Sequence, residues 1–182
     1  MFDFLKQMTA KQAPFDGIGF QGHFKHPAHF APPEEVYARL ERFAGLGKDL
    51  AVTELDVSVP DPKEAKQAEL QAAYTRDLLT VFFSHPKMTE VTFWAIWEPE
   101  ARKNSGALFR TDGTAKPNGD ATMNLLSKQW WTNLEGKSGE DGKFSGRGFY
   151  GKYEITASSA GKKKMVSIDV APEGKPVVIR LE

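Results

Sequence analysis

The residues that could do chemistry gather in three short stretches. "GIGFQGHF" (17–24) carries Gln21 and His23, "VTELDV" (52–57) carries Glu54 and Asp56, and "VTFWAIW" (91–97) carries Thr92, Trp94 and Ile96, in each case spaced by two. In an extended strand alternate side chains share a face, so Glu54 and Asp56 are expected to point one way and Thr53, Leu55 and Val57 the other. Gly17 and Gly19 share the face of Gln21 and His23 and leave space beside them. A carboxylate can attack or take a proton, an imidazole can orient it, an amide gives directional hydrogen bonds and an indole offers a flat apolar wall. That set suits a sugar, and the reaction it suits is glycoside cleavage, with one ionised carboxylate attacking the anomeric carbon. Two acids at a strand end can also simply face water, so the motif alone leaves both readings open.

Strands with helices between them would position these groups. The first strand is read over 16–24. The helix after it starts at Pro32-Pro33-Glu34-Glu35, shows Val36, Leu40 and Phe43 at helical spacing, and ends at Gly45 and Gly47. The second strand follows over 49–57. Its helix, 63–84, carries Leu70, Tyr74, Leu78 and Val81 on one stripe and stops before Pro86. The third strand is read over 90–97 and a last helix over 118–131. Strand alternating with helix predicts an α/β fold with parallel strands whose carboxyl ends gather the polar groups. Three such units are too few to close a barrel, and the chain begins almost directly with a strand, as though the front of a barrel were missing.

Beyond Trp131 the character changes. "KFSGRGFYGKYEITAS", "KKMVSIDV" and "PVVIRL" read as strands separated by glycine turns, a small all-β appendage over 132–182 behind an α/β part over 1–131. Such a segment is too small for an independent core, so it is expected to pack against the α/β part.

The balanced charge, 24 basic and 24 acidic side chains, gives nucleic acid or an anionic membrane nothing to recognise. No cysteine is present, so thiolate chemistry is unavailable and the redox compartment is undetermined. The N-terminus shows no export signal and no apolar run reaches membrane-spanning length, which leaves the location open. His23, His26 and His29 are spaced by three, yet Pro27 disfavours a helix there; neither a metal nor another cofactor is expected. Trp130-Trp131 is expected to close a core, Phe149, Tyr150 and Tyr153 to be structural, and Lys162-Lys163-Lys164 to form a solvated hairpin turn.

"GIGFQGHF", "VTELDV" and "VTFWAIWEPE", followed by "ALFRTDGTAKPNGDATMNLL", resemble in order and separation the last three strand regions of family 10 glycoside hydrolases, the endo-β-1,4-xylanases. The resemblance runs over about 15–131 and implies a partial (β/α)8 barrel, about its last three units. It implies Glu54 as nucleophile of a retaining hydrolysis of xylan, His23 and Asp56 as the supporting pair, and Gln21, Trp94 and Trp97 as substrate-facing residues. An imidazole held by Asp56 would donate toward Glu54 and favour its ionised form.

A retaining enzyme also needs an acid/base carboxyl about 5–5.5 Å from the nucleophile. In this family it stands in an Asn-Glu motif on the fourth strand, and the sequence contains no such motif. The pattern also departs at Ala95, where glycine is usual, at Glu98, where aspartate is, and at Arg102-Lys103, where a Ser-Trp pair is common. The competing reading is a non-catalytic carbohydrate-binding or structural remnant. Open sheet edges further predict self-association. The family implies an exported parent.

Overall fold

Three apolar runs become parallel strands because each is followed by a helix long enough to return the chain to the same end of the sheet. The computed structural model describes residues 1–25, 27–101, 106–172 and 174–181, which form two compact units, Met1–Leu125 and Leu126–Glu182. His26 and Arg102-Lys103 lie outside the described residues.

In the first unit the order is α1 (Phe2–Ala10), β1 (Gly17–Phe20), β2 (His23–Phe24), α2 (Pro33–Ala44), β3 (Asp49–Val57), α3 (Ala65–Ser84), β4 (Met88–Phe93) and α4 (Pro117–Asn124), the last continuing into a π-helical turn at Leu125–Gln129. A helix, rather than a strand, therefore stands at the start; its Phe2 packs edge-on against Phe43 of α2. The sheet is parallel throughout: β3 is central, with β1 and then β2 along one edge and β4 along the other. Leu50, Leu55 and Leu78 are at most 1% exposed, and burial of each contributes about 1.5–3 kcal/mol.

Several expected boundaries move. The single strand over 16–24 is two, broken at Gln21 and Gly22, where Gly22 has φ 82°. The third strand ends at Phe93 because the backbone turns away after Trp94 N–H donates to Leu55 O. The buried stripe of α3 runs through Gln71, Tyr74, Thr75, Leu78 and Phe82, while Leu70 faces solvent. Gln71 is buried because its amide donates to Val57 O at 2.7 Å, closing the end of β3.

Strict alternation also fails in β3, and the failure decides where the carboxylates point. On one edge the register passes from Phe20↔Val52 to His23↔Asp56; on the other it passes from Val52↔Val91 to Leu55↔Phe93. Both neighbouring strands therefore find one extra residue in β3, a β-bulge at Thr53–Glu54. The buried aliphatic positions step accordingly from Leu50 and Val52 to Leu55 and Val57. Val52 lines an apolar cavity of about 220 Å³ with Phe20, Phe24 and, from α2, Val36 and Leu40. Unbroken alternation would continue that face into Glu54 and Asp56. The bulge turns them to the opposite side, and Thr53 goes with them rather than with Leu55: a Cβ at Gly19 would lie 3.1 Å from Thr53 Cγ2.

The segment after β2 is fixed by Tyr74, whose ring stacks on Phe30 at 4.0 Å and whose hydroxyl donates to Ala31 O at 3.0 Å. Burial pushes the Tyr74 hydroxyl up to about 12.

The second unit holds one antiparallel hairpin, β5 (Gly151–Ser159) and β6 (Lys162–Val170). The expected strand at "PVVIRL" is not formed, Lys162-Lys163-Lys164 opens β6 rather than forming the turn, and the turn is Ala160-Gly161, both at positive φ. Trp131 is 70% exposed instead of buried.

The break leaves no room for a side chain at Gly22. A Cβ there would lie 2.7 Å from Val52 Cγ1 at a left-handed φ, so Gly22→Ala should cost about 2–4 kcal/mol in urea unfolding.

Candidate active site

His23 stands beside Asp56 because β2 and β3 pair in that register, and Glu54, two residues earlier on the strand and on the same side, reaches the same ring. His23 Nε2 lies 3.0 Å from Glu54 Oε2, and its Nδ1 lies 3.7 Å from Asp56 Oδ2. Only the first is within hydrogen-bond reach, so a neutral ring carries its proton on Nε2 and donates it to Glu54. Nδ1 is buried and has no hydrogen-bond partner among the described residues.

Trp94 covers the imidazole edge-on, ring centroids 5.6 Å apart, and is 43% exposed, so part of its face stays open beside the pair. The Gln21 side chain is exposed, and its carbonyl accepts the Glu54 N–H at 2.9 Å. The structure thus brings His23, Glu54, Asp56 and Trp94 into one place. Trp97 sits on the next segment, bridged to Phe109.

Asp56 is 8% exposed, and a buried carboxylate needs donors. Gly106 N–H donates to its Oδ1 and Ser58 Oγ–H to its Oδ2 at 3.3 Å. Gly106 belongs to the segment returning from β4. A Cβ there would lie 2.6 Å from Val57 N and 2.8 Å from Asp56 Oδ1, so only glycine allows the approach. Asn118, completely buried in the first turn of α4, donates from Nδ2 to Gly106 O at 2.9 Å and Ala107 O at 3.3 Å. Neither Gly106 nor Asn118 is suggested by spacing, since nothing local shows which loop glycine meets a strand far away in sequence. The available signal is "KPNG", an asparagine just inside a proline-started helix.

Lys116, 5% exposed, places Nζ 3.5 Å from Glu98 Oε1. Burial lowers its pKa, and the Glu98 carboxylate beside it opposes that shift. A carboxylate supported by an imidazole, with an indole alongside, can attack an electrophilic carbon or take up a proton.

The buried amine generates a second prediction. Between its lowered value and the ordinary 10.5 the unfolded chain binds more protons than the folded one, so Lys116 makes stability rise with pH across that window. Lys116→Met should flatten the rise and leave the protein as stable at pH 7 or about 1–4 kcal/mol more so, by urea unfolding from pH 7 to 10.

The comparisons bear on this geometry. The chain is 25% identical to endo-1,4-beta-xylanase 2 of Arabidopsis thaliana over 97% of its own length and 16% of that protein's. It is 28% identical to the anti-sigma-I factor RsgI6 of Acetivibrio thermocellus over 82% of its length and 18% of that protein's. It therefore spans under a fifth of either relative. Among solved structures, xylanase 10B of Thermotoga maritima superposes with a TM-score of 0.60 at 28% identity, covering 70% of this chain and 41% of that one. Xylanase 10B of Thermotoga petrophila, solved with xylobiose, gives 0.61 over the same shares. These neighbours are TIM-barrel enzymes, so the α/β unit has the fold of part of such a barrel. The model of glycosyl hydrolase family 10 matches residues 1–125, and the chain belongs to that family.

Proposed function

We propose that this chain carries the nucleophile half of a retaining endo-β-1,4-xylanase active site. The observation that supports it is the imidazole of His23 set between two carboxylates, within hydrogen-bond reach of Glu54 and held off Asp56. In this reading Glu54 attacks the anomeric carbon, the glycosidic carbon–oxygen bond breaks, and the leaving oxygen departs with the electron pair. Water then releases the sugar from the enzyme. His23 keeps the attacking carboxylate oriented, Asp56 fixes the ring from behind, and Trp94 gives the sugar an apolar wall, with Gln21 and Trp97 at the rim.

The substrate class is a β-1,4-linked xylan. Relatives solved with xylobiose and with xylotetraose bound support it, as does the family. The acid/base carboxyl is assigned to a further segment, outside these 182 residues. Among the described residues β1 and β4 each pair only with β3, so strands carrying that acid would add at those edges.

A 2-fluoro xylobioside with an activated aryl leaving group tests the nucleophile alone, because such a group departs without protonation. Intact mass should rise by one glycosyl unit, and Glu54→Gln should abolish the rise. A folded chain that stays unlabelled would overturn the assignment of Glu54. Unactivated xylan should not be cleaved by the chain alone, as reducing-sugar release would show.

A further inference from the structure

Asn118 is a buried polar residue outside the catalytic cluster, and its cost is visible. The side chain is fully buried, and its Oδ1 has no hydrogen-bond partner among the described residues. An unsatisfied buried acceptor costs about 1–3 kcal/mol, so what the amide provides must lie on its donor side. That side grips the carbonyls of Gly106 and Ala107. Gly106, so held, turns its N–H to Asp56 Oδ1, and the other Asp56 oxygen faces His23 Nδ1 at 3.7 Å.

The fit around this line is close on both sides. A Cβ at Gly119, next to Asn118, would overlap Leu108 O, and one at Gly106 would meet the Val57 backbone. Helix α4, the 106–108 segment and the end of β3 are therefore packed backbone to backbone, leaving little slack between the amide and the imidazole.

We propose that Asn118 is a positioning residue for Glu54, acting through Gly106, Asp56 and His23. The Asp56 carboxylate takes its place from the Gly106 N–H, and the place of Gly106 is set from behind by the Asn118 amide. If that amide is removed, the segment relaxes and Asp56 loses a donor. It then turns toward the His23 ring, whose proton shifts from Nε2 to Nδ1 to meet it, so that the imidazole gives up its hydrogen bond to Glu54. The catalytic half of the proposal rests on Glu54 being the nucleophile; the structural half does not.

The experiment compares wild type with Asn118→Ala and Thr122→Val. Thr122 is also buried in α4, and its hydroxyl gives its proton to Asn118 O at 2.8 Å rather than to a carbonyl of the 106–108 segment. Three readouts are taken: exchange of the Gly106 amide, the 15N signals of the His23 ring, and the first-order rate of labelling by the activated 2-fluoro xylobioside at saturation. Asn118→Ala should speed Gly106 exchange, move the His23 signals and slow labelling about ten- to a hundredfold, with the half-saturating concentration unchanged. Thr122→Val should leave all three near wild type.

Unchanged His23 signals in Asn118→Ala, or equal changes in both variants, would overturn the proposal, as would fast Gly106 exchange with an unchanged labelling rate. If wild type itself takes no label, the assignment of Glu54 fails, and the His23 signals alone decide whether Asn118 positions the ring. If Asn118→Ala does not fold, Asn118→Leu keeps the volume, removes the same donors and is read by the same signals.

Discussion

The arrangement depends on one buried carboxylate. Asp56 is where β3, the His23 segment, the loop returning from β4 and, through Gly106, helix α4 meet. A charge nine-tenths buried is tolerated only when donors meet it, and here Ser58 supplies one from two residues along the strand while Gly106 brings the other from a distant piece of chain. Satisfying Asp56 is therefore the same act as assembling the site. The glycine at 106 follows from this, because any side chain would separate the amide from the oxygen it serves.

The site is built on rigid elements, with the catalytic candidates on paired strands and their supports on a helix and a tightly packed loop. Such a layout holds the Glu54–His23 pair in one geometry. Trp94, by contrast, is left partly open. At the far end of the sheet His85 is sealed at 2% exposure, its Nε2 3.0 Å from Glu41 and its Nδ1 accepting the Lys87 N–H. That histidine binds helix to turn and has no open face.

Much of this was legible in the sequence. Spacing by two on "TELDV" put Glu54 and Asp56 on one face and parallel pairing put His23 beside them, but the side of the sheet they occupy is set by the bulge, which spacing does not show. Helix α2 was marked by its proline start and its glycine stop. What escaped was non-local. Gln71 reads as a surface residue until Val57 O is seen to need a donor, and Asn118 reads as an ordinary first-turn residue until Gly106 folds against it. The amino-terminal helix escaped because its apolar residues are too few for a stripe; none of them is fully buried. Alternation in "PVVIRL" does not make a strand where no partner strand pairs with it among the described residues.

The bulge in β3 sets a rule for how this strand can change over evolutionary time. Elsewhere in an α/β unit, loops and helix ends absorb single insertions and deletions with little effect. Between Val52 and Leu55 the count of residues is itself information, because one residue fewer exchanges the greasy side of the strand for the wet one. Substitutions at Thr53 can drift as long as the backbone keeps its extra step, whereas a one-residue gap, even one that spares every residue named in the site, would turn the acids into the hydrophobic layer. In alignments of such chains this stretch should be read for its length before its letters.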